Sequence, residues 1–285
     1  MYLFLWIFFV YSFLGWCTEV SYAALVTGKF VNRGFLNGPV CPVYGFGVVI
    51  VLSILVPLKG NLLVLFIGSV ILTSLLEWLT GFLLEKIFHQ RWWDYSDQPF
   101  NIGGYICLRF SIAWGFACLI VVDAIHPTVF WLITSIPHGI GVVILGILAV
   151  IMAVDLIATV RTITNMNRQL QEIDELARKI KGMSNEFGEQ LADKVLDAAE
   201  KGTELRSELT EELEDLRDTI EKIREKLSQR QEQRQNELDE LKERLNEVMN
   251  RKIMGQRRIL KAYPKLDSLP HRQALRRVRR WLNRS

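Results

Sequence analysis

From Gly139 to Val160 the chain reads GIGVVILGILAVIMAVDLIATV, a run of 22 residues with one charged side chain, Asp155. A helix of about 20 apolar residues spans the hydrocarbon core of a bilayer, because it rises about 1.5 Å per residue and satisfies its own backbone hydrogen bonds. This run therefore predicts a transmembrane helix. It also marks a boundary, because the chain carries few charges before it and many after it.

Charge divides the chain into three parts. Residues 1–170 hold eight of the 34 Lys and Arg and seven of the 31 Asp and Glu. Residues 171–250 carry a net charge of −9, and residues 251–285 carry a net charge of +11. We therefore predict a transmembrane domain over residues 1–162, a cytoplasmic coiled coil over 163–253 and a basic amphipathic tail over 254–285.

Five apolar runs predict the membrane helices. They are Leu3–Val26, Val40–Leu58, Leu62–Leu84, Ile106–Ile125 and Gly139–Val160. The predicted fold class is all-α, a polytopic bundle of about five spans followed by a long cytoplasmic coiled-coil helix. A further apolar run, Thr128–Ile136, is too short to cross and lies between two prolines, so we expect it to be interfacial or re-entrant.

Basic residues in the short loops predict the orientation. Lys29 and Arg33 follow the first predicted span, and Lys86 and Arg91 follow the third. Such residues are enriched in cytoplasmic loops. An odd number of spans, with the N-terminus outside and the C-terminus in the cytoplasm, fits this distribution.

Four acidic residues lie within the apolar runs: Glu19, Glu77, Asp123 and Asp155. A charge at the bilayer centre costs about 3 kcal/mol on insertion scales, so it usually faces a bundle interior or water. We expect Asp123 and Asp155, near span ends, to be solvated at the interface. Glu19 and Glu77 lie deeper and are candidates to contact a proton, an ion or a substrate; the alternative is a carboxyl group hydrogen-bonded within the bundle.

Two loops on the predicted cytoplasmic side are unusual in composition. The first, Gly28–Gly47, has five glycines and two prolines, so it either folds back into the bundle or makes a tight connection between helices. The second, His89–Ser111, combines aromatic rings suited to the membrane interface with several charged residues. We predict that the two loops form a joint site.

Three segments carry a family resemblance. They read FLGWCTEV (Phe13–Val20), NRGFLNGPVCPVYGFG (Asn32–Gly47) and RWWDYSDQPFNIGGYICLRFSIAWG (Arg91–Gly115). Together they resemble the motifs of the type IV ABC-transporter permease family, also called CmpB-like, over roughly residues 1–160. The resemblance implies a multi-pass protein of the bacterial plasma membrane that acts as a permease component for an unknown substrate.

The resemblance implies a set of substrate-contacting or structural residues, to which we add Glu77 because it lies deep in the third predicted span. They are Glu19, Asn32, Arg33, Gly34, Pro39, Cys41, Pro42, Tyr44, Glu77, Trp93, Asp94, Tyr95 and Asn101. The chain has no GxxxxGK[ST] motif, so an ATPase would be a separate subunit. Scattered histidines and no paired cysteines predict no metal, no cofactor and no enzymatic activity.

The charged segment predicts a coiled coil. Leu209, Leu213, Leu216, Ile220, Ile223 and Leu227 are spaced by four and three residues in turn. This apolar stripe must pack on a second copy, on a fold-back of the same chain or on a partner. We favour a parallel dimer, and hence a homo-oligomer, whose helix of about 80 residues would reach about 120 Å.

The tail predicts a basic amphipathic helix, with arginines from Arg276 to Arg284 around Leu275, Val278 and Trp281. Anionic lipid is the favoured contact. The alternative is nucleic acid or an acidic protein, but no recognised DNA-binding motif supports nucleic acid. Two functions follow: a transport component, or a membrane-anchored scaffold that recruits cytoplasmic partners. Transport predicts that Glu19→Gln or Arg33→Ala abolishes function and that deletion after Arg168 is partly tolerated; the scaffold predicts the reverse.

Overall fold

The computed structural model describes residues 1–58, 60–204, 213–251, 253 and 255–282, without side-chain detail at 58, 186–224, 226 and 227. The helices are α1 Tyr2–Thr27, α2 Pro42–Leu55, α3 Leu62–Phe88, α4 Leu108–Ile120, α5 His126–Thr134, α6 His138–Glu204, α7 Leu213–Asn250, α8 Gln256–Ala262 and α9 Arg272–Leu282. The strands are β1 Gln90–Arg91, β2 Asn101–Ile102, β3 Ile106–Cys107 and β4 Asp267–Ser268. The predicted all-α class is confirmed, because helices make up nearly all of the regular structure in the described part.

Among the described residues, four helical stretches are long and apolar enough to cross a membrane: Tyr2–Thr27, Leu62–Phe88, Leu108–Thr134 and His138–Asn185. They match the first, third, fourth and fifth predicted spans. The second predicted span is a shorter apolar helix, Pro42–Leu55, continued by a 3₁₀ turn at Val56–Leu58. Helix and turn together measure about 27 Å, close to the thickness of the hydrocarbon core. The total of five spans, and the orientation derived from it, stay predictions.

The re-entrant alternative for Thr128–Ile136 is wrong, because helix continues from Leu108 to Thr134. Pro127 lacks an amide hydrogen, and its ring would collide with the carbonyl of Asp123 in a regular α-helix. The preceding turn, Val121–Ile125, is π-helical and ends with a hydrogen bond from the His126 amide to the Val121 carbonyl. This wider turn accommodates the proline, so residues 128–134 continue the helix that begins at Leu108 and are not a re-entrant turn. Their position at the membrane interface stays a prediction.

Local sequence sets where the membrane helices begin and end. The Asn61 side chain accepts hydrogen bonds from the amides of Leu63 and Val64 and so caps the start of α3. Gly28 ends α1 in the left-handed conformation, with φ 67°. Pro42 occupies the first turn of α2, where an amide donor is not needed.

Close helix approach defines the bundle, in which α1 packs mainly on α2 and α3 mainly on α4. The ring of Tyr44 lies directly against Gly15, and Gly45 lies against Phe8 and Ser12, so a β-carbon at either glycine would collide with its neighbour. The buried apolar core is formed by Trp6, Ile7, Phe8, Phe9, Tyr11, Val51, Leu52, Leu55, Leu65, Val122, Val129, Ile133 and Leu145. Large apolar side chains elsewhere on these helices are exposed, as expected for a surface facing lipid.

The chain forms two compact units. The first joins Met1–Asn167 to Lys252–Leu275, and the second joins Arg168–Arg251 to Arg276–Ser285. Part of the predicted tail therefore belongs to the same unit as the membrane helices. In this first unit, β1 pairs antiparallel with β4, with Gln90 opposite Ser268, and β2 pairs antiparallel with β3.

The second unit folds back on itself. The Gln169 side chain, 2% exposed, donates to the carbonyls of Val248 at 2.7 Å and Arg251 at 3.2 Å. Glu172 forms a 2.9 Å ion pair with Arg251. A straight helix would separate residues 169 and 248 by about 120 Å, so the expectation of a single extended rod is wrong. Of the three ways to cover the apolar stripe, the fold-back is the one seen at this end of the segment.

The predicted coiled-coil seam itself is not described. Leu209 lies outside the described residues, and the side chains of the remaining seam positions, from Leu213 to Leu227, lie in the range without side-chain detail. The homo-oligomer through this seam stays a prediction. In α9, Leu275 and Val278 are each 2% exposed, whereas Arg276 and Arg280 are exposed. Contact with anionic lipid therefore rests on the arginines alone and also stays a prediction.

Candidate functional site

Glu19 lies at the centre of the candidate site. The Tyr44 hydroxyl, from α2, donates a 2.6 Å hydrogen bond to Glu19 Oε1. Arg33 Nε approaches Glu19 Oε2 at 3.4 Å, and the guanidinium also lies over the Tyr22 ring at 5.4 Å. The distance makes the Arg33–Glu19 contact an ion pair and not a well-formed hydrogen bond. Both side chains keep about a quarter of their surface accessible, with 30% exposed for Arg33 and 26% for Glu19.

A second tyrosine–glutamate pair joins Tyr95 of the second loop to Glu77 of α3. The Tyr95 hydroxyl donates to Glu77 Oε1 at 3.3 Å. Glu77 Oε2 is buried and has no hydrogen-bond partner among the described residues. Burial raises the pKa of Tyr95, and the charge of Glu77 raises it further. Tyr95 is therefore a neutral donor at physiological pH, and Glu77 keeps a free acceptor oxygen inside the protein.

Tyr44 connects the two pairs. Its electrostatic interactions include Glu19, through the hydrogen bond, and Glu77 at longer range. The ring packs edge-on against Trp114 of α4, with centroids 5.6 Å apart. Three helices and the second loop thus bring two carboxyl groups into one polar region of an otherwise apolar bundle. Sequence reasoning predicted both carboxylates but not that tyrosines would be their donors.

Asn32 shapes the first loop. Its side-chain oxygen accepts from Trp16 Nε1 at 2.8 Å and from the Gly34 amide at 3.0 Å, and its amide nitrogen donates to the Asn37 carbonyl at 2.7 Å. Three groups from α1 and the loop are thereby tied to one side chain. Asn32 and Gly34 are therefore structural members of the predicted set.

Asp155 holds the loop from the other side. One carboxylate oxygen accepts from the Asn37 amide at 3.1 Å and from Asn37 Nδ2 at 2.8 Å, and the other accepts from the Gly38 amide at 2.7 Å. Asn37 Nδ2 also donates to Thr159 at 3.0 Å. The expectation of a merely solvated carboxylate is therefore wrong. Backbone amides of a glycine-containing loop need acceptors, and a carboxylate two turns from the end of an apolar run supplies them.

The remaining predicted residues of the first loop are placed as follows. Pro39 is exposed, and Pro42 starts α2. Cys41 is 6% exposed, and its amide donates to the Ser12 carbonyl at 2.9 Å. None of these three contacts either carboxyl group through a described hydrogen bond. They fix the path of the chain into α2, and their contact with a substrate stays a prediction.

Asp94 organises the second loop. Its Oδ1 accepts from the Ser96 amide at 2.9 Å and from the Ser96 hydroxyl at 2.5 Å, and lies 3.7 Å from Arg91 Nη1. Burial alone would raise the pKa of Asp94, but the hydrogen bonds from Ser96 and the charge of Arg91 hold it below its usual value. Gly104, with φ 74°, lies so close that a β-carbon there would be 2.5 Å from Asp94 Oδ1.

Asn101 and Trp93 complete the same loop. Asn101 Nδ2 donates to the Gln98 carbonyl at 2.8 Å, and its oxygen accepts from the Gly104 amide at 3.2 Å, which closes the β2–β3 hairpin. Trp93 Nε1 donates to the Tyr105 carbonyl at 2.9 Å. An added β-carbon at Gly81 of α3 would be 3.1 Å from the Trp93 ring, so the ring packs on the helix. Both residues thus support the loop through these contacts.

Aromatic contacts bring the two loops together. Phe35 of the first loop packs on Trp92 of the second, with centroids 5.1 Å apart, and on Phe88 at 6.0 Å. Trp92 is 3% exposed. The predicted joint location of the loops is thus seen, and the ring that joins them is Trp92, which is not among the predicted site residues. Within the described residues, no group of three or more His, Cys, Asp or Glu side chains could hold a metal ion.

The match to known proteins covers this region. A family model described as "Putative ABC-transporter type IV" matches residues 6–160. The chain belongs to this family. The family region contains Glu19, Arg33, Tyr44, Glu77 and Tyr95, and it ends within α6. No solved structure matches the chain.

For this member of the type IV ABC-transporter family, three residues near the site were missed from the sequence. Asp155 was expected to be solvated, because it lies far in sequence from the first loop and nothing local indicates the contact. Arg258 and Tyr263 lie beyond the family match, in a segment that its charge marked only as a basic tail. The one local feature that sets this segment apart from the surrounding basic sequence is the tyrosine–proline pair at Tyr263 and Pro264.

Proposed function

We propose that this protein is the membrane-embedded, permease-like subunit of an ABC-type transport system in the bacterial plasma membrane. The observation that supports this best is the pair of tyrosine–glutamate contacts at Glu19 and Glu77, which are partly buried within an apolar helix bundle. Buried carboxylates in membrane helices are costly and are usually retained for transport or binding. We place the N-terminus outside and the C-terminus in the cytoplasm, following the basic residues of the loops.

The chemistry of the site favours a ligand with a positive charge or a proton to exchange. The Arg33–Glu19 ion pair is 3.4 Å long and partly accessible, so a cationic group can replace Arg33 at little cost. Glu77 Oε2 is a buried acceptor that a donor on the ligand would satisfy. We propose that the substrate path runs past Glu19 and Glu77.

Energy for transport would come from a separate ATPase subunit, because this chain has no phosphate-binding GxxxxGK[ST] motif. The proposal therefore assigns this chain no enzymatic activity of its own. The test is crosslinking in intact cells followed by affinity purification of the full chain. We expect an ATPase with its own phosphate-binding loop to co-purify in stoichiometric amount and to hydrolyse ATP in proteoliposomes. The absence of any co-purifying ATPase would contradict the proposal.

A scaffold is the second candidate, and the charged helical unit favours it. Residues 171–250 carry 14 basic and 23 acidic side chains, which is unusual for a simple linker. Excision of this unit separates the two functions. A scaffold would lose its partners on excision and be insensitive to Glu19→Gln, whereas a permease subunit would keep its ATPase and respond to Glu19→Gln.

A further inference from the structure

The first unit contains a stretch near the C-terminus, residues 255–275, which we name the return segment. In sequence it lies between the two parts of the second unit and beyond the residues that match the family model. Several of its side chains are almost fully buried: Ile259 at 0%, Ala262 and Leu266 at 1% and Leu275 at 2% exposed. A stretch with this burial is part of the folded unit and not a free tail.

Arg258 of the return segment binds the backbone of the first loop. Its Nη1 donates to the Gly34 carbonyl at 2.8 Å, and its Nη2 donates to the Phe35 carbonyl at 3.1 Å. Burial lowers the pKa of Arg258, but a guanidinium stays protonated in proteins. Its planar fork matches two successive carbonyls, and hydrogen bonds from a charged donor are about twice as strong as neutral ones.

Tyr263 binds the residue next to that pair of carbonyls. Its hydroxyl donates to the carbonyl of Arg33 at 2.8 Å, and its ring packs edge-on against Trp92 with centroids 4.9 Å apart. It also packs with a small buried cluster that contains Ala23 of α1 and Val31 of the loop. Burial, followed by the charges of Cys41 and Glu19, raises the pKa of Tyr263. The hydroxyl therefore lies within electrostatic reach of the candidate site.

The same segment is tied to the second loop. β4 pairs with β1, so that Gln90 at 0% and Ser268 at 1% exposure face each other in the ladder. Lys265 Nζ lies 3.6 Å from Asp97 Oδ2 and donates to the Asp94 carbonyl at 3.4 Å. The return segment thus bridges both loops of the family region.

We propose that the return segment is an integral part of the candidate site and that Arg258 and Tyr263 are positioning residues for Arg33. The carbonyls of residues 33, 34 and 35 are held by these two side chains, which leaves the Arg33 side chain directed at Glu19. The Arg33–Glu19 separation of 3.4 Å has no supporting hydrogen-bond geometry, so its maintenance depends on the backbone beneath it. The proposal concerns the geometry of the site, and its test does not depend on transport.

Cys41 provides a natural reporter of this geometry. It is 6% exposed and lies in the first loop, where its amide donates to the Ser12 carbonyl of α1. The test uses the full chain in membranes, with Cys17, Cys107 and Cys118 replaced by alanine, and measures the rate of Cys41 labelling by a membrane-permeant maleimide. Arg258→Ala and Tyr263→Ala are compared with Arg257→Ala, an exposed neighbouring arginine that serves as the matched control.

We expect Arg258→Ala and Tyr263→Ala to raise the labelling rate by about tenfold or more, because each removes hydrogen bonds that resist local opening. Arg257→Ala should label at the unmodified rate. Tyr263→Phe, which keeps the ring on Trp92 but lacks the hydroxyl, should give an intermediate rate. A rate for Tyr263→Phe equal to that of the unmodified chain would overturn the positioning role of the hydroxyl.

A parallel series with Cys118 as the sole cysteine checks that the bundle is intact. Cys118 lies in α4, away from the return segment, so its labelling should be the same in all variants. If Cys118 labelling rises together with that of Cys41, the substitutions disrupt the whole bundle and the specific role is overturned. Rapid Cys41 labelling in the unmodified chain would overturn the proposal outright.

Discussion

The Tyr44 hydroxyl donates a 2.6 Å hydrogen bond to Glu19 Oε1 across the interface of α1 and α2. Two features make this contact specific. Gly15, one turn before Glu19 on α1, leaves room for the Tyr44 ring, and Trp114 closes the other side of the ring. The hydrogen bond therefore depends on a helix approach that only a residue without a β-carbon permits.

Glu19→Gln keeps the size of the side chain but removes the charge that pairs with Arg33. We expect substrate-stimulated ATP hydrolysis by the purified complex to fall by about tenfold or more, since a charged hydrogen bond contributes about 1.5–3 kcal/mol. Tyr44→Phe should have a smaller effect of the same sign. Asp123→Asn, an exposed carboxylate in the π-helical turn, is the control. Unchanged hydrolysis in Glu19→Gln would exclude Glu19 from the substrate path.

Two glycine-to-alanine substitutions should change the stability of the protein in opposite directions. Gly15→Ala places a β-carbon against the Tyr44 ring, and overpacking of this kind costs about 1–3 kcal/mol. Gly146→Ala in α6 meets no described atom within 4 Å, so it should stabilise the helix by about 0.5–1 kcal/mol. Thermal unfolding in detergent measures both. A stabilising Gly15→Ala would show that α1 and α2 are not packed as described.

Asp155→Asn tests how the first loop is attached to α6. Loss of the charge weakens three hydrogen bonds from Asn37 and Gly38, and we expect destabilisation by about 2 kcal/mol. Asp123→Asn should be close to neutral, because that carboxylate is exposed. Equal melting temperatures for the two variants would indicate that Asp155 is solvated, as the sequence alone predicts.

Acid pH should selectively weaken the second loop. The folded-state pKa of Asp94 lies below its usual value, so its contribution is present above about pH 4 and is lost as the pH falls through the folded pKa. The melting-temperature difference between the unmodified chain and Asp94→Asn should be constant from about pH 7 to pH 5 and should narrow below about pH 4. Asp97 has a side chain that is 85% exposed, so Asp97→Asn is the control variant. If the melting-temperature difference between the unmodified chain and Asp94→Asn widens below about pH 4, the lowered pKa of Asp94 is contradicted.

The part of the second unit between Gln169 and Val248 should be removable, whereas the return segment should not. Gln169 and Val248 are in contact, so a Gly/Ser linker of about six residues can replace the chain between them. We expect this excision to leave Cys41 protected from maleimide. Truncation after Arg168 removes the return segment as well and should expose Cys41, which revises the expectation that such a truncation is partly tolerated. Equal Cys41 labelling in the two deletions would contradict this division of the chain.

Periodicity and hydropathy were sufficient to predict most of the fold. Apolar runs around Leu3–Val26 and Gly139–Val160 predicted helices at close to their observed positions, because a span depends on the summed transfer energy of about 20 neighbouring residues. The same logic separated Thr128–Ile136 from the fourth predicted span, since Pro127 was taken as the end of that helix. The π-helical turn Val121–Ile125 accommodates the proline within a continuous helix, and no sequence pattern predicts such a turn.

The candidate site was predictable only in part. Glu19 and Glu77 were identifiable because a carboxylate in an apolar run is rare and costly. Their donors, Tyr44 and Tyr95, lie 25 and 18 residues further along the chain, and no local pattern connects them. The role of Trp92 was likewise invisible, because its contacts with Phe35 and Tyr263 depend on packing between distant segments.

The sequence by itself determined that this is a membrane protein of one known family, with a charged helical segment after its last span. These properties follow from local sums of hydrophobicity and charge and from contiguous motifs. Only the tertiary structure decided that Asp155 and the return segment hold the first loop from two sides. Arg258 is separated from Gly34 by 224 positions, and hydrogen bonds between such residues exist only after the intervening chain has folded back.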